Sequence, residues 1–65
     1  MDAKVIAKRL IILRGNRTQK DISDEIGVCQ STYAMYETGK RIPSDYNKEK
    51  IAICFGKSVQ EIFFN

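Results

Sequence analysis

The stretch TQKDISDEIGVCQSTYAMYETGKRIPS, residues 18–44, determines how we expect the chain to fold. It opens with a helix-capping signature, because Thr18 is followed three positions later by the acidic Asp21. Gly27 predicts the end of that helix, and a second glycine predicts the end of the next one, at about residues 30–38. The stretch therefore predicts two short helices joined by a tight glycine turn, which is a helix-turn-helix.

The flanking sequence predicts three further helices. Apolar residues recur at helical spacing from about Ala3 to Arg14, and Asp2 precedes them as an N-cap. Pro43 prevents a helix through the preceding residue and favours a new one at about residues 45–55. Ser58 can cap a last short helix. Since no segment shows sustained two-residue alternation, we predict an all-α fold of five short helices.

Composition sets limits on the function. A chain of 65 residues is expected to form one domain, residues 1–65, with a small core and no room for a deep catalytic cleft. The net charge of +3 and the pI of about 9.0 suit a polyanion only if the cations cluster on one face. No pair of nucleophile and base and no carboxylate cluster is discernible, so we expect neither an enzyme nor a cofactor.

The two cysteines, Cys29 and Cys54, match no metal or redox spacing, and a chain without histidine can hardly complete a zinc site. Lone cysteines without a signal peptide are typical of a reduced cytoplasmic protein. The apolar run LIIL at residues 10–13 is too short to span a membrane. We therefore expect a cytoplasmic location, no membrane partner, no metal and no small-molecule ligand.

Polar residues cluster around the second helix of the pair. Uncharged hydrogen-bonding side chains stand at its start, where a recognition helix meets base edges. Lys40 and Arg41 follow its end, where phosphates would run beside the groove. Gln19, at the start of the first helix of the pair, can offer its amide to a phosphate. Together these features favour DNA binding over a helix pair that only packs a core.

Residues 18–44 resemble the Cro/repressor-type, or XRE-like, helix-turn-helix family. The family's pattern is roughly T-Q-x-x-L-A-x-x-x-G-V-S-x-x-x-I-S-x-x-E-x-G-x-R-x-P. The positions in register are Thr18, Gln19, Ile22, Ser23, Gly27, Val28, Tyr33, Ala34, Glu37, Gly39, Arg41 and Pro43. The fourth and fifth helices of the family have counterparts in KEKIAICFGKSVQEIFF, so the resemblance covers nearly the whole chain.

The resemblance implies a sequence-specific regulator that binds double-stranded DNA, with the helix at about residues 30–38 in the major groove. The base-contacting residues it implies are Gln30, Ser31, Thr32 and Met35. The phosphate-contacting residues are Arg17, Thr18, Gln19, Thr38, Lys40 and Arg41. Glutamine suits adenine, whereas serine is permissive and methionine offers only apolar contact. We therefore expect weak base discrimination, with a larger share of the affinity from backbone contacts and DNA shape.

Three residues of the predicted recognition helix need a separate interpretation. Glu37, an acid near phosphates, should pair with Arg14 or failing that with another nearby cation, which is a structural role. Tyr33 and Tyr36 stand where aliphatic residues are commoner, and we expect two core tyrosines with hydroxyls at the rim.

Cys29 replaces the usual Ser or Thr at the start of the recognition helix. A small residue tolerated at a cap is favoured there over a redox-active thiol. The segment that links Leu13 to Gln19 is about two residues shorter than in many relatives, which leaves the position of Arg17 near DNA open.

Partners follow from the same resemblance. Relatives usually bind palindromic operators as dimers, and we expect a homodimer through the apolar C-terminal end, Ile62, Phe63 and Phe64. The alternative is a helix-turn-helix module that binds a protein, such as an antirepressor or toxin, with little or no DNA binding. Asp21, Asp24 and Glu25 would suit a basic partner, although such acids are ordinarily a solvated face.

Overall fold

The computed structural model describes residues 1–64, and the chain within them forms five α-helices and no strand. They are α1 (Ala3–Arg14), α2 (Gln19–Ile26), α3 (Gln30–Thr38), α4 (Asp45–Phe55) and α5 (Val59–Phe63). The predicted all-α fold, with a helix-turn-helix formed by the second and third helices, is confirmed.

Short polar side chains fix where the helices begin. Asp2 accepts hydrogen bonds from the backbone N–H groups of Lys4 and Val5 at the start of α1. Thr18 and Asp21 form a reciprocal capping box at α2, since each side chain accepts from the other residue's backbone N–H. Such caps satisfy N–H groups that the first turn of a helix leaves without a partner. Ser44 and Ser58 cap α4 and α5 in the same way.

The turn between α2 and α3 depends on Gly27. Its φ of 77° lies in the left-handed region, which side chains with a Cβ rarely adopt. The backbone N–H groups of Gly27 and Val28 both donate to the carbonyl of Ser23, at 2.9 and 3.0 Å. This closure turns the chain sharply and packs the half-buried Val28 against the core.

The core holds α3 from two sides. Leu10 of α1, Tyr33 of α3 and Ile51 of α4 are completely buried. They belong to one apolar cluster together with Ile6, Ile22, Ile26, Tyr36, Ala52, Ile62 and Phe63. Helix α3 packs against both α1 and α2, while α4 packs against α2 and α5. Because α1 and α2 cover its inner side, α3 presents one outward face to solvent.

The C-terminal apolar residues are mostly core. Ile62 and Phe63 are 1% and 3% exposed, whereas Phe64 is 55% exposed. The prediction of a dimer surface made of all three residues is therefore wrong for Ile62 and Phe63. The five-residue α5 packs between α1 and α4. This packing buries the apolar side chains that an isolated short helix would expose to solvent.

No helix in residues 1–64 is long and apolar enough to cross a membrane.

Candidate nucleic-acid interface

Helix α3 has a buried face and an outward face. Tyr33, Tyr36 and Glu37 are buried against α1 and α2. The residues proposed for base contact lie elsewhere on the helix: Gln30 and Ser31 are exposed, and Thr32 and Met35 are half-buried. Positions 31, 35 and 38 follow the helical repeat and share one face. The outward face therefore consists of uncharged side chains.

The two tyrosines of α3 fill the space behind that face. Their rings meet edge to face, with centroids 6.1 Å apart and an interplanar angle of 81°. The Tyr36 hydroxyl accepts a hydrogen bond of 3.3 Å from Nδ2 of Asn47. The buried rings of Tyr33 and Tyr36 thus anchor α3 to the core.

Tyr33 lies deeper than its sequence position indicated. Its hydroxyl oxygen is buried near the Glu37 carboxylate and makes no hydrogen bond of regular geometry within residues 1–64. Burial, and after it the neighbouring Glu37 carboxylate, raises the pKa of Tyr33 above its ordinary value. The prediction of a hydroxyl at the rim is therefore wrong for Tyr33, because the whole residue is buried in the apolar cluster.

The chain turns back on α3 directly after its last residue. Gly39 has a φ of 77°, and a Cβ at this position would lie 3.5 Å from the carbonyl oxygen of Ala3 in α1. The backbone N–H groups of Lys40 and Arg41 then donate to the carbonyl of Met35, at 3.0 and 3.3 Å. Their side chains are exposed. Two cations are thus fixed by their backbone next to the C-terminal end of the outward face.

Thr38 completes this end of the helix. Its hydroxyl donates a 3.2 Å hydrogen bond to the same carbonyl of Met35. The hydroxyl oxygen remains available as an acceptor, and the residue is exposed. In this position Thr38 can offer a phosphate its hydroxyl only by giving up the bond to Met35.

The start of α2 lies against the end of α3. Gln19, the first residue of α2, is half-buried, and its Nε2 donates a 2.9 Å hydrogen bond to Oε1 of Glu37. Thr18 is exposed and uses its hydroxyl oxygen as the cap of α2. Of these two residues proposed for phosphate contact, Gln19 therefore lies against the last turn of α3 and is already engaged within the protein.

An ion pair joins α1 to α3 beneath the interface. Nε and Nη2 of Arg14 donate to Oε2 and Oε1 of Glu37, at 2.7 and 3.0 Å. The Glu37 side chain is 2% exposed and that of Arg14 22%. Burial alone would raise the pKa of Glu37, but hydrogen bonds from Arg14 and Gln19 outweigh it and lower the pKa below its ordinary value. Glu37 is therefore a buried carboxylate and has no direct route to a base.

Arg17 is held apart from the other cations proposed for phosphate contact. Its guanidinium carbon lies 5.3 Å from the centroid of the Phe55 ring, at the end of α4. The backbone carbonyl of Arg17 accepts a 2.9 Å hydrogen bond from Nη1 of Arg14. The guanidinium of Arg17 would have to leave Phe55 to contact DNA.

Two features of the interface were not predicted. Ala34 is half-buried and lies one turn from Ser31 and from Thr38, so it belongs to the same face of α3. The helical repeat from Ser31 could have identified it. The hydrogen bond between Gln19 and Glu37 joins residues that are 18 positions apart, and no local pattern indicates it.

Cys29 and Cys54 are both free thiols. Cys29 is exposed immediately before α3, and it makes no side-chain cap bond to the described part of that helix. Burial, and after it the neighbouring Glu25, raises the pKa of Cys54 to about 11. The structure thus places a thiol beside the outward face of α3, at the site that a capping hydroxyl usually occupies.

Comparison with known proteins identifies similar sequences. A profile of the helix-turn-helix family matches residues 6–62. The chain is 38% identical over 47 residues to the cryptic phage CTXphi transcriptional repressor RstR of Vibrio cholerae serotype O1. That similarity covers 72% of this chain and 42% of the repressor, so the chain spans less than half the length of this relative. The chain has no significant match to a solved structure.

Proposed function

The chain belongs to the helix-turn-helix family, and from this premise we propose a transcriptional regulator that inserts the outward face of α3 into the major groove of double-stranded DNA. The observation that carries the proposal is the division of α3 into two faces. Tyr33 and Tyr36 are buried, while Ser31 and Thr38 are exposed on the other side. A major groove about 12 Å wide admits one helix, and this helix presents nothing charged or bulky to obstruct entry.

Base contacts would come from the N-terminal part of α3. Gln30 can offer its amide to an adenine, and Ser31 can donate to or accept from several bases. Met35 shares the face of Ser31 and Thr38 and offers an apolar contact, whereas Thr32 lies at the margin of that face and offers a hydroxyl. Few of these contacts discriminate strongly between bases, so selectivity would depend in part on the shape and deformability of the operator.

Phosphate contacts would flank the groove on both sides. Thr38, Lys40 and Arg41 stand at one end of α3, with both cations exposed. Thr18 and Gln19 stand at the start of α2, where helix N–H groups also favour an anion. Arg17 would join them after release from Phe55. These contacts would release counterions from DNA and supply most of the affinity.

We further propose that residues 1–65 act as one DNA-binding unit in the cytoplasm, and that two copies bind a palindromic operator. One copy offers few base contacts, and pairing doubles them. Of the three C-terminal residues expected at the dimer surface, Phe64 is exposed. Met1 and Val5 line the same shallow cavity and are also exposed. We therefore propose that Met1, Val5 and Phe64 form the dimer surface.

A protein-binding module without DNA affinity has less support. Its candidate surface was the acidic side of α2, but Asp21 belongs to the capping box of that helix. Asp24 is paired with Lys20 at 3.0 Å, one turn earlier on the same helix. Local partners therefore account for two of the three acids, whereas the side chains of Lys40 and Arg41 are exposed beside α3.

Selection from a pool of random duplexes tests the proposal. We expect enrichment of a motif with two-fold symmetry, whose half-site centres lie about 10 bp apart. An enriched motif without two-fold symmetry would support DNA recognition but contradict the proposal that a dimer binds a palindromic operator. A pool that stays unchanged at low salt, with the protein folded, would contradict the regulator and favour the protein-binding alternative.

A further inference from the structure

We propose that Glu37 is a positioning residue for DNA binding: it holds the side-chain amide of Gln19 in the orientation that presents an N–H group to a phosphate. The inference rests on the proposed DNA-binding function and assigns to Glu37 a role beyond its ion pair with Arg14. Gln19 is the residue that would touch DNA, and Glu37 would act through it.

The geometry around the carboxylate carries the inference. Oε1 of Glu37 accepts both from Nε2 of Gln19, at 2.9 Å, and from Nη2 of Arg14, at 3.0 Å. Oε2 accepts from Nε of Arg14 at 2.7 Å. One buried oxygen thus joins a residue of α1 to the first residue of α2, and the carboxylate itself belongs to α3. The three helices meet at this group.

A carboxylate is well suited to fix the direction of an amide. An ionised carboxylate only accepts hydrogen bonds, so the nitrogen of Gln19 and not its oxygen must face Glu37. The amide nitrogen has two N–H groups, and the contact with Glu37 uses one of them. The other remains for a phosphate, while a reversed amide would present its oxygen and repel the anion. Glu37 therefore selects the useful orientation before DNA arrives.

Holding the amide in advance also lowers the entropic cost of binding. A free glutamine side chain has several rotamers, and ordering it at an interface reduces the affinity. Gln19 is half-buried and already bonded in the protein without DNA. The phosphate contact then orders fewer degrees of freedom.

Packing of the core alone does not explain why an acidic residue occupies position 37. A negative charge in the last turn of α3 is unfavourable to the helix dipole, and it lies near the proposed path of the phosphates. An apolar residue would fill the same buried space without either cost. What an apolar residue cannot do is accept from Arg14 and Gln19 together.

The same group also fixes the segment that leads into α2. Arg14, held by Glu37, donates through Nη1 to the backbone carbonyl of Arg17, at 2.9 Å. This contact lies directly before Thr18, the cap of α2. The carboxylate in α3 thus sets the register between the helix proposed to meet bases and the helix start proposed to meet phosphates.

A double-mutant cycle tests the inference. Affinity for a generic duplex is measured at low temperature for wild type, Gln19→Ala, Glu37→Gln and the double variant. A glutamine at position 37 has one acceptor oxygen and no charge, so it cannot hold Arg14 and Gln19 as the carboxylate does. Each single change should therefore lower the affinity for the duplex about 3- to 10-fold. Because Glu37 acts through Gln19, the double variant should bind no more weakly than Gln19→Ala. Glu49→Gln, an exposed change in α4, is the matched control and should leave affinity unchanged.

The outcomes separate the inference from the function on which it rests. If the affinity losses of the two single variants add up in the double variant, or if Glu37→Gln binds as tightly as the wild type, the positioning role is wrong. Either result is still compatible with the proposed DNA-binding function. No duplex binding by the folded wild type would overturn the regulator itself. A stability loss without an affinity loss would show that Glu37 only holds the fold.

A second measurement needs no variant. The side-chain amide protons of Gln19 should exchange with solvent more slowly than those of Gln60, which is exposed in α5. Equal exchange at the two glutamines, in the protein without DNA, would show that Glu37 does not hold the amide and would overturn the inference.

Discussion

The guanidinium of Arg14 in α1 holds the carboxylate of Glu37 in α3 through two hydrogen bonds, at 2.7 and 3.0 Å. A bidentate arrangement of this kind is strong and directional. Since Glu37 also accepts from Gln19, the pair ties α1 to both helices of the helix-turn-helix. The fold and the proposed DNA surface therefore depend on one buried carboxylate.

Removing this carboxylate should destabilise the protein. Glu37→Ala leaves Arg14 without its partner and creates a small cavity, and we expect a loss of about 2–3 kcal/mol in the free energy of unfolding. The figure lies toward the lower end for buried pairs, because Arg14 is partly exposed and can regain water. Thermal unfolding measures the effect. Glu49→Ala, an exposed change in α4, should stay within about 0.5 kcal/mol of wild type; equal loss in both variants would contradict the structural importance of the pair.

The same group predicts how stability depends on acidity. The pKa of Glu37 is lowered in the folded protein by the hydrogen bonds that its carboxylate accepts, whereas the unfolded chain keeps the ordinary value of a glutamate. Its stabilisation is therefore complete above that ordinary value and disappears as the pH falls through the folded pKa. Urea unfolding between about pH 3 and about pH 7 should show a shallower acid loss in Glu37→Gln than in wild type. Parallel curves for the two proteins would contradict a lowered pKa at Glu37.

The N-cap of α3 offers a stabilising change. Cys29 occupies the cap with extended backbone, φ −67° and ψ 148°, but makes no side-chain cap bond to the described part of the helix. A serine hydroxyl there could accept from a backbone N–H of the first turn, as Ser44 and Ser58 do at other helices. Cys29→Ser should raise the free energy of unfolding by about 1 kcal/mol.

The same variant tests whether the thiol regulates DNA binding. If Cys29 serves only as a small cap, peroxide should leave the operator affinity of the wild type unchanged. Peroxide inhibition of the wild type that is lost in Cys29→Ser would instead establish a redox role for the thiol. A lower melting temperature in Cys29→Ser would contradict the capping argument.

Local chemistry made most of the fold predictable. Asp2, Thr18, Ser44 and Ser58 stand before α1, α2, α4 and α5, and a glycine follows each of the helices α1 to α4, so the sequence marks most helix ends directly. The structure begins and ends the helices at these residues. The outward face of α3 follows from the same logic, because helical periodicity separates Tyr33 and Tyr36 from the polar residues around them.

Most contacts between distant segments were not predictable in this way, although the ion pair of Glu37 with Arg14 was expected from the cost of an unpaired acid. Ile62 and Phe63 are buried because α5 packs between α1 and α4, a pairing that no local pattern encodes. A helix of five residues has too few positions to separate a core face from a binding face. The position of Arg17 over Phe55 has the same origin, since it joins residues 38 positions apart through the tertiary fold.

Base recognition should depend on Gln30 more than on any other single residue of α3. Gln30→Ala removes the one side-chain amide of α3, at its exposed N-terminal end, and we expect a loss of about 1–3 kcal/mol at the selected operator but little loss on unrelated duplex. Competition binding with the two duplexes measures the difference. Gln60→Ala, in the exposed part of α5, serves as the control. An equal loss on both duplexes would show that Gln30 contacts the backbone and not a base.

The most direct test of the account is the salt dependence of binding to a generic duplex. If the cations beside α3 contact phosphates, affinity should fall steeply between about 50 and about 200 mM salt, and Lys40→Ala should reduce the log–log slope by about one. Lys57→Ala removes the same charge from the loop between α4 and α5 and should leave the slope unchanged. No binding by the folded protein at low salt, or equal slopes for wild type and Lys40→Ala, would contradict the proposed DNA surface.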